Sequence, residues 1–266
     1  MIIDLNGKHT ESRDALIDVA DRGFTLGDGI FETIRVRDGK PDRFTAHMTR
    51  MRYGAKILGI PLPTTSSGVE SRLTSIVEAN NLKNAVVRIT LSHGPAPRGL
   101  LPPDVAAPTF VITASPLPKT APSVKAILAI KVRRNEFSAS SRIKSLSYVD
   151  NVIARREAAE YGADDALILN TQGRLAESTV SNLFLMIKGA LLTPPVSDGA
   201  LAGVMRADLI SHFRAEEQPL EVDDLAKAEE AFLTNALGVR ALIAVADQPI
   251  GDGEPGPTTQ MLATQL

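Results

Sequence analysis

The chain has no cysteine among its 266 residues, which excludes disulfides, thiolate metal sites and a cysteine nucleophile, and is consistent with a reducing compartment. No stretch approaches the roughly 20 apolar residues of a membrane span. The N-terminal MIIDLNGKH reaches Asp4 too soon to hold the apolar core of a secretory signal. A cytoplasmic location is therefore expected. Neither charge sign dominates: 29 basic against 31 acidic residues give a net charge of −2, so nothing draws the chain in bulk toward nucleic acid or an anionic membrane. Any anion must be bound locally. The four histidines, His9, His47, His93 and His212, have no HxH or HExxH spacing, and no metal site is expected. No repeat and no low-complexity tract is present.

What is present is an ordinary globular composition, 44% hydrophobic and 23% charged, with enough length for two domains. FETIRVRDGKPDRF alternates apolar and polar residues on both sides of Asp38-Gly39 and predicts a hairpin. Met48, Met51, Ala55 and Leu58 form the stripe of a helix, a second helix is expected in SGVESRLTSIVEANN, and strands follow in NAVVRITLS and APTFVITAS. SPLPKTAPS reads as a linker. The expected organisation is a smaller N-terminal α/β domain over 1–116, a linker over 117–122 and a larger C-terminal domain over 123–266. In the latter, VKAILAIKV is a strand, residues from about Tyr148 to Tyr161 a helix, and DALILNTQGRLAESTVSNLFLMIKGALLTPP a strand-rich run broken at Gly173 and Gly189. GALAGVMRADLISHF reads as helical. Grouped strands flanked by helices indicate an α+β protein.

Five features could carry chemistry. Lys144, between Ile143 and Leu146, is either an ordinary surface lysine or a desolvated amine able to form a Schiff base. Glu177 lies among small and apolar residues in LAESTVSNLFLM. It is either a strand-end glutamate in solvent or a partly buried acid that needs a partner, such as a protonated ring nitrogen. The run into Gly203 could aim the amides of Gly203, Val204 and Met205 at a phosphate, or could be a turn with glycines for backbone reasons. LTNALG, over 233–238, is a second small polar turn. Arg50 leaves its helix near the edge of the apolar stripe and could grip a phosphate or snorkel to solvent. Together, a lysine, a carboxylate for a pyridine nitrogen and a phosphate site with an arginine are the parts that pyridoxal 5′-phosphate requires.

Three blocks in order, DRGFTLGDGIFETIRVRDGKPDRFTAHMTRM, IKSLSYVDNVIARREAAEYGADDALILNTQGRLAESTVSNLF and GALAGVMR, resemble the class IV aminotransferase family, the pyridoxal-phosphate enzymes of fold type IV. The likeness spans almost the whole chain. It implies a two-domain α+β fold like that of D-amino acid aminotransferase, with the cofactor between the domains and the larger one binding most of it. It implies that Lys144 is the Schiff-base lysine and proton carrier, and that Glu177 pairs with the pyridine nitrogen. Arg50 would hold the phosphate with amides at Val204, Met205, Asn235 and Ala236, and Tyr148 would lie near the phenolic oxygen, although Ser147 stands where asparagine is common. It further implies a homodimer in which a loop of the other subunit finishes each site.

Within the family, the Asn-Ala-Leu turn and SHGPAPRGL are similar to the 4-amino-4-deoxychorismate lyases, which release pyruvate and 4-aminobenzoate for folate biosynthesis. Arg98 matches the carboxylate-binding arginine of D-amino acid aminotransferases, with Leu100 in place of their histidine. ESTVSNLF departs from the Glu-Gly-Ser of branched-chain aminotransferases. The expected reaction is the lyase reaction, and the alternative is amino-acid metabolism by transamination to a keto acid. Phe31, Thr33 and Arg98 are the expected substrate contacts. Arg35 and Arg88 are further cations whose roles, in a pocket or in the fold, the sequence does not separate.

Overall fold

The computed structural model describes all 266 residues and divides them into two compact units, Met1–Lys119 with Ile143–Ser147, and Thr120–Arg142 with Tyr148–Leu266. It is an α+β structure with two sheets.

The first unit contains β1 (Ile2–Leu5), β2 (Lys8–Glu11), α1 (Arg22–Leu26), β3 (Gly29–Arg37), β4 (Lys40–Pro41), α2 (Phe44–Leu58), α3 (Ser66–Ala79), β5 (Ala85–Ser92) and β6 (Thr109–Pro116). The strands form a six-stranded sheet in the order β2-β1-β6-β5-β3-β4, antiparallel throughout. The Asp38-Gly39 turn closes β3 on β4 with both residues at positive φ, 47° and 76°, which suits the strand twist. One sheet face is apolar. Ile30, Ile34 and Val36 of β3 and Val87, Ile89 and Leu91 of β5 pack there with Met48, Met51 and Ala55 of α2 and Leu73 and Ile76 of α3. Each of the larger side chains among these contributes about 2 kcal/mol. By the period-two alternation of strands, Phe31, Thr33, Arg88 and Thr90 belong to the opposite face; Phe31 pairs in register with Thr90 and Thr33 with Arg88.

Ile143–Ser147 belongs to this unit although it comes late in the chain. It lies antiparallel beside the start of β3: the Phe31 amide donates to the Lys144 carbonyl (2.9 Å) and the Leu146 amide to the Gly29 carbonyl (2.9 Å). Gly29 permits this approach, since a Cβ there would strike Leu146 and the Leu91 carbonyl.

The second unit contains β7 (Ser123–Leu128), α4 (Val149–Glu160), β8 (Asp165–Leu169), β9 (Leu175–Ser178), β10 (Asn182–Ile187), β11 (Ala190–Thr193), α5 (Val204–Phe213), β12 (Glu216–Glu217), β13 (Glu230–Asn235), β14 (Gly238–Val245), β15 (Gln248–Pro249) and α6 (Pro257–Gln265). Its nine-stranded sheet runs β12-β11-β10-β13-β14-β7-β8-β9, with β15 added to β14. The pairs β7–β14, β7–β8 and β11–β12 are parallel. Phe184 of β10 stacks on Phe232 of β13, with centroids 5.2 Å apart, in a cluster with Leu209 of α5 and Leu262 of α6. The GALAGVMRADLISHF helix begins only at Val204, because Gly199 is left-handed (φ 95°) and Gly203 is extended as the N-cap. No helix is long and apolar enough to cross a membrane.

Candidate active site

In the first unit the Lys144 amine lies 4.3 Å from the centre of the Phe31 ring, and the Arg88 guanidinium 3.8 Å from the same centre. Phe31 is buried and Thr33 half-buried. Two cations thus gather at one aromatic ring, on the sheet face that α2 and α3 leave uncovered, where each gains from the ring's negative face. Arg88 thus stacks on Phe31 rather than standing free in solvent. Arg35 is structural: it is buried against Asp42 at 2.6 Å.

Arg50 of α2 donates through Nε to Glu32 Oε1 (2.8 Å) and through Nη2 to Glu32 Oε2 (2.6 Å). His47, one turn earlier, bonds Glu32 Oε2 through Nδ1 at 2.8 Å. Burial alone would raise the Glu32 pKa, but the bonds and charges of Arg50 and His47 outweigh it and hold the carboxyl below its ordinary range. The carboxylate fixes the plane of the Arg50 guanidinium, as a two-pronged contact does. Neither Glu32 nor His47 stands out in the sequence; their placement on β3 and α2 makes the cluster. Arg98 lies exposed in the loop between β5 and β6.

In the second unit Glu177, near the end of β9, is buried and ion-paired with Arg134 at 2.9 Å. The Leu201 amide donates to its other oxygen at 3.0 Å. Two residues on, Thr179 is anchored through its hydroxyl to buried Asp165 (2.5 Å), and its carbonyl accepts from Asn151 of α4 (2.6 Å). Tyr148 is the N-cap residue of that helix. The strand that carries Glu177 is therefore held on both sides. Arg134 has no local sequence signal; only the fold makes it the partner of Glu177.

Of the expected phosphate elements, the Gly203 run and the Asn235-Ala236 turn lie in this unit, and Arg50 in the first. Asn182, at the start of β10, donates to the Leu201 carbonyl (2.8 Å), and a Cβ on Gly203 would strike its side-chain oxygen. Asn182 pairs in register with Thr234, and Asn235 pairs with Gly238 across the Ala236-Leu237 turn. Asn235 also bonds the Ser181 hydroxyl at 3.1 Å. The first turn of α5, with Val204 and Met205, has no side-chain cap, and the Thr234 hydroxyl is buried with no partner in the chain. An uncapped helix N-terminus and a donor hydroxyl lacking an acceptor fit a phosphate, with Gly203 leaving room for the Asn182 side chain beside them.

The family model described as amino-transferase class IV matches residues 29–245. A Methanocaldococcus jannaschii protein provisionally named a branched-chain-amino-acid aminotransferase is 32% identical over 98% of this chain and 94% of its own. The aminodeoxychorismate lyase of Bacillus subtilis is 30% identical over 89% of this chain and 83% of its own. The crystal structure of a branched-chain aminotransferase from Thermoproteus uzoniensis with norvaline superposes with a TM-score of 0.91 at 27% identity, covering all of this chain and 93% of that one. The chain belongs to the class IV aminotransferase family and is a pyridoxal-phosphate-dependent enzyme.

Proposed function

We propose that the enzyme is a 4-amino-4-deoxychorismate lyase, acting as a cytoplasmic homodimer. The observation that carries this reading is the pair of cations, Lys144 and Arg88, at the Phe31 ring. The substrate bears an amine and two carboxylates. Lys144 gives up its place on the cofactor to the substrate amine, Arg88 meets one carboxylate, and Arg98 supplies the charge for the other. The Asn235-Ala236-Leu237 turn supports the same choice.

Bound pyridoxal phosphate supplies an electron sink for bonds next to the substrate nitrogen. The chain's own residues do the rest. Lys144 would hold the cofactor through its Nζ and move a proton at that atom. Glu177, oriented by Arg134 and the Leu201 amide, would serve as counter-charge to the pyridine nitrogen. Arg50, oriented by Glu32, would contribute to holding the phosphate, as would the amides of Val204, Met205, Asn235 and Ala236 and the Thr234 hydroxyl. Tyr148 would bond the phenolic oxygen. Phe31 and Thr33 shape the substrate side.

The test mixes purified holoenzyme with aminodeoxychorismate and, separately, with D-alanine, D-glutamate or L-leucine in the absence of a keto acid. Stoichiometric pyruvate and 4-aminobenzoate, with the cofactor's visible band surviving every amino acid, is the expected result. Bleaching by one of the amino acids, with release of its own keto acid and no pyruvate from aminodeoxychorismate, would assign an aminotransferase instead, for which the same Lys144 would move a proton between substrate and cofactor.

A further inference from the structure

The ends of the β5–β6 loop that carries Arg98 are tied to Asp21, which bonds the Ser92 and Thr109 hydroxyls, and the Ala96 amide donates to the Ala20 carbonyl; its far shoulder is held by one buried residue. Arg22, in α1, is 5% exposed although it is an arginine. Its backbone amide donates to the Gly94 carbonyl at 2.9 Å, the near shoulder of the loop. Its side chain reaches the far shoulder: Nη1 donates to the Gly99 carbonyl (3.0 Å) and more weakly to that of Leu101 (3.4 Å), and Nη2 to that of Leu100 (2.7 Å). Nε donates to Asp28 at 2.7 Å, and the same Asp28 oxygen is bonded by His93 Nδ1 at 2.9 Å. Of the four residues between Gly94 and Gly99, Pro95, Pro97 and Arg98 are exposed, and so are Leu100 and Leu101, at 82% and 88%. Exposed apolar side chains give the loop no core of its own to hold its shape, so carbonyls gripped by a rigid guanidinium fork must do it.

We infer that Arg22, held by Asp28 and His93, is a positioning residue that sets the direction of Arg98 and so governs recognition of the substrate carboxylate. This rests on the reading of Arg98 as a carboxylate contact. A lysine at position 22 keeps the charge but loses the fork, and cannot reach Asp28 and the loop carbonyls together. R22K should therefore behave like R22Q rather than like the native enzyme.

The experiment uses holoenzyme with aminodeoxychorismate, or with whichever amino donor bleaches the cofactor, and compares R22Q, R22K, R98A and R22Q/R98A. Hydrogen exchange of peptides spanning 95–108 is measured alongside. The expected result is a rise of about tenfold in KM for both Arg22 variants with kcat within about threefold, the sign of lost binding rather than lost chemistry. Exchange in the loop should quicken, and R22Q should add nothing in the R98A background, because the two act through one contact. Native KM in R22Q and R22K while R98A raises it would overturn the inference. Native KM in R98A would overturn it by removing its premise, and loop exchange that still quickens in R22Q would then show that the anchor itself was read correctly. Should R22Q not fold, D28N removes the same support and carries the same expectation.

Discussion

Arg134 Nη2 stands 2.9 Å from Glu177 Oε1, with the two side chains only 12% and 10% exposed. The carboxylate that the family resemblance sets opposite a ring nitrogen is thus one half of a buried ion pair within its own unit, and the arginine fixes where its charge points. Removing one partner of such a pair strands the other. R134Q is expected to cost about 3 kcal/mol of unfolding free energy in denaturant titration. It should also loosen cofactor binding. E177Q, which leaves Arg134 an acceptor but removes the charge, should retain the cofactor and lower kcat about a hundredfold. Equal losses in cofactor content and kcat for E177Q would assign Glu177 to binding alone.

Glu32 gives the fold an acid-sensitive joint. Its carboxyl is held below its ordinary value of 4.5 because the bonds from Arg50 and His47 outweigh the effect of burial. A carboxyl depressed on folding binds fewer protons in the native than in the unfolded chain, so its stabilisation is complete above about pH 4.5 and is lost as pH falls through the lower native value. Denaturant titrations between about pH 3 and 6 should show native stability dropping at the acid end more steeply than that of E32Q. Parallel curves would remove Glu32 from the acid response.

Gly203 is expected to tolerate no side chain, since a Cβ would strike the Asn182 side-chain oxygen. G203A should displace the start of α5 and weaken pyridoxal-phosphate binding about tenfold or more, a loss of about 1.4 kcal/mol or more. Equilibrium dialysis of the apoenzyme measures it. The same variant should bind free phosphate less well, which separates the phosphate site from the Schiff base.

The last helix hangs on a single acid. Glu230 of β13 accepts from the Thr258 amide (3.1 Å), the Thr259 amide (3.0 Å) and the Thr259 hydroxyl (2.9 Å) at the start of α6. E230A should cost about 1–2 kcal/mol, the scale of a lost helix cap. Exchange protection in 257–265 should fall before that of the sheet. Unchanged protection there would mean that Leu262 packing alone holds the helix.

The parts legible in the sequence were those with a local signature. The α2 stripe, the Asp38-Gly39 hairpin and the long strands of the second unit follow from periodicity and turn chemistry. Lys144, Glu177 and Arg50 follow from residue types set in the order of the family's blocks. The β1–β2 hairpin was also written locally, in Asn6-Gly7 at φ 53° and 87°, but a pair of four-residue strands is too short for periodicity to announce. The rest is non-local. The carbonyl partners of Arg22 lie 77 to 79 positions away, and Glu32 lies 18 from Arg50. No window along the chain contains both ends of such a contact. The assignment of Ile143–Ser147 to the first unit is of the same kind, because pairing with β3 is specified by backbone groups that every residue carries.

That short return has a consequence for how such enzymes can be recombined. Most two-part proteins can exchange halves at the joint between them, because each half brings its own working residues. Here an exchange at Lys119–Thr120 would deliver, with the donor's second half, the five-residue segment that the recipient's first sheet must accept beside Gly29. Lys144 would arrive in a foreign setting, pressed against another lineage's Phe31 and Gly29. The two halves are therefore bound to vary together, and a chimera works only if position 29 remains small enough to admit the newcomer.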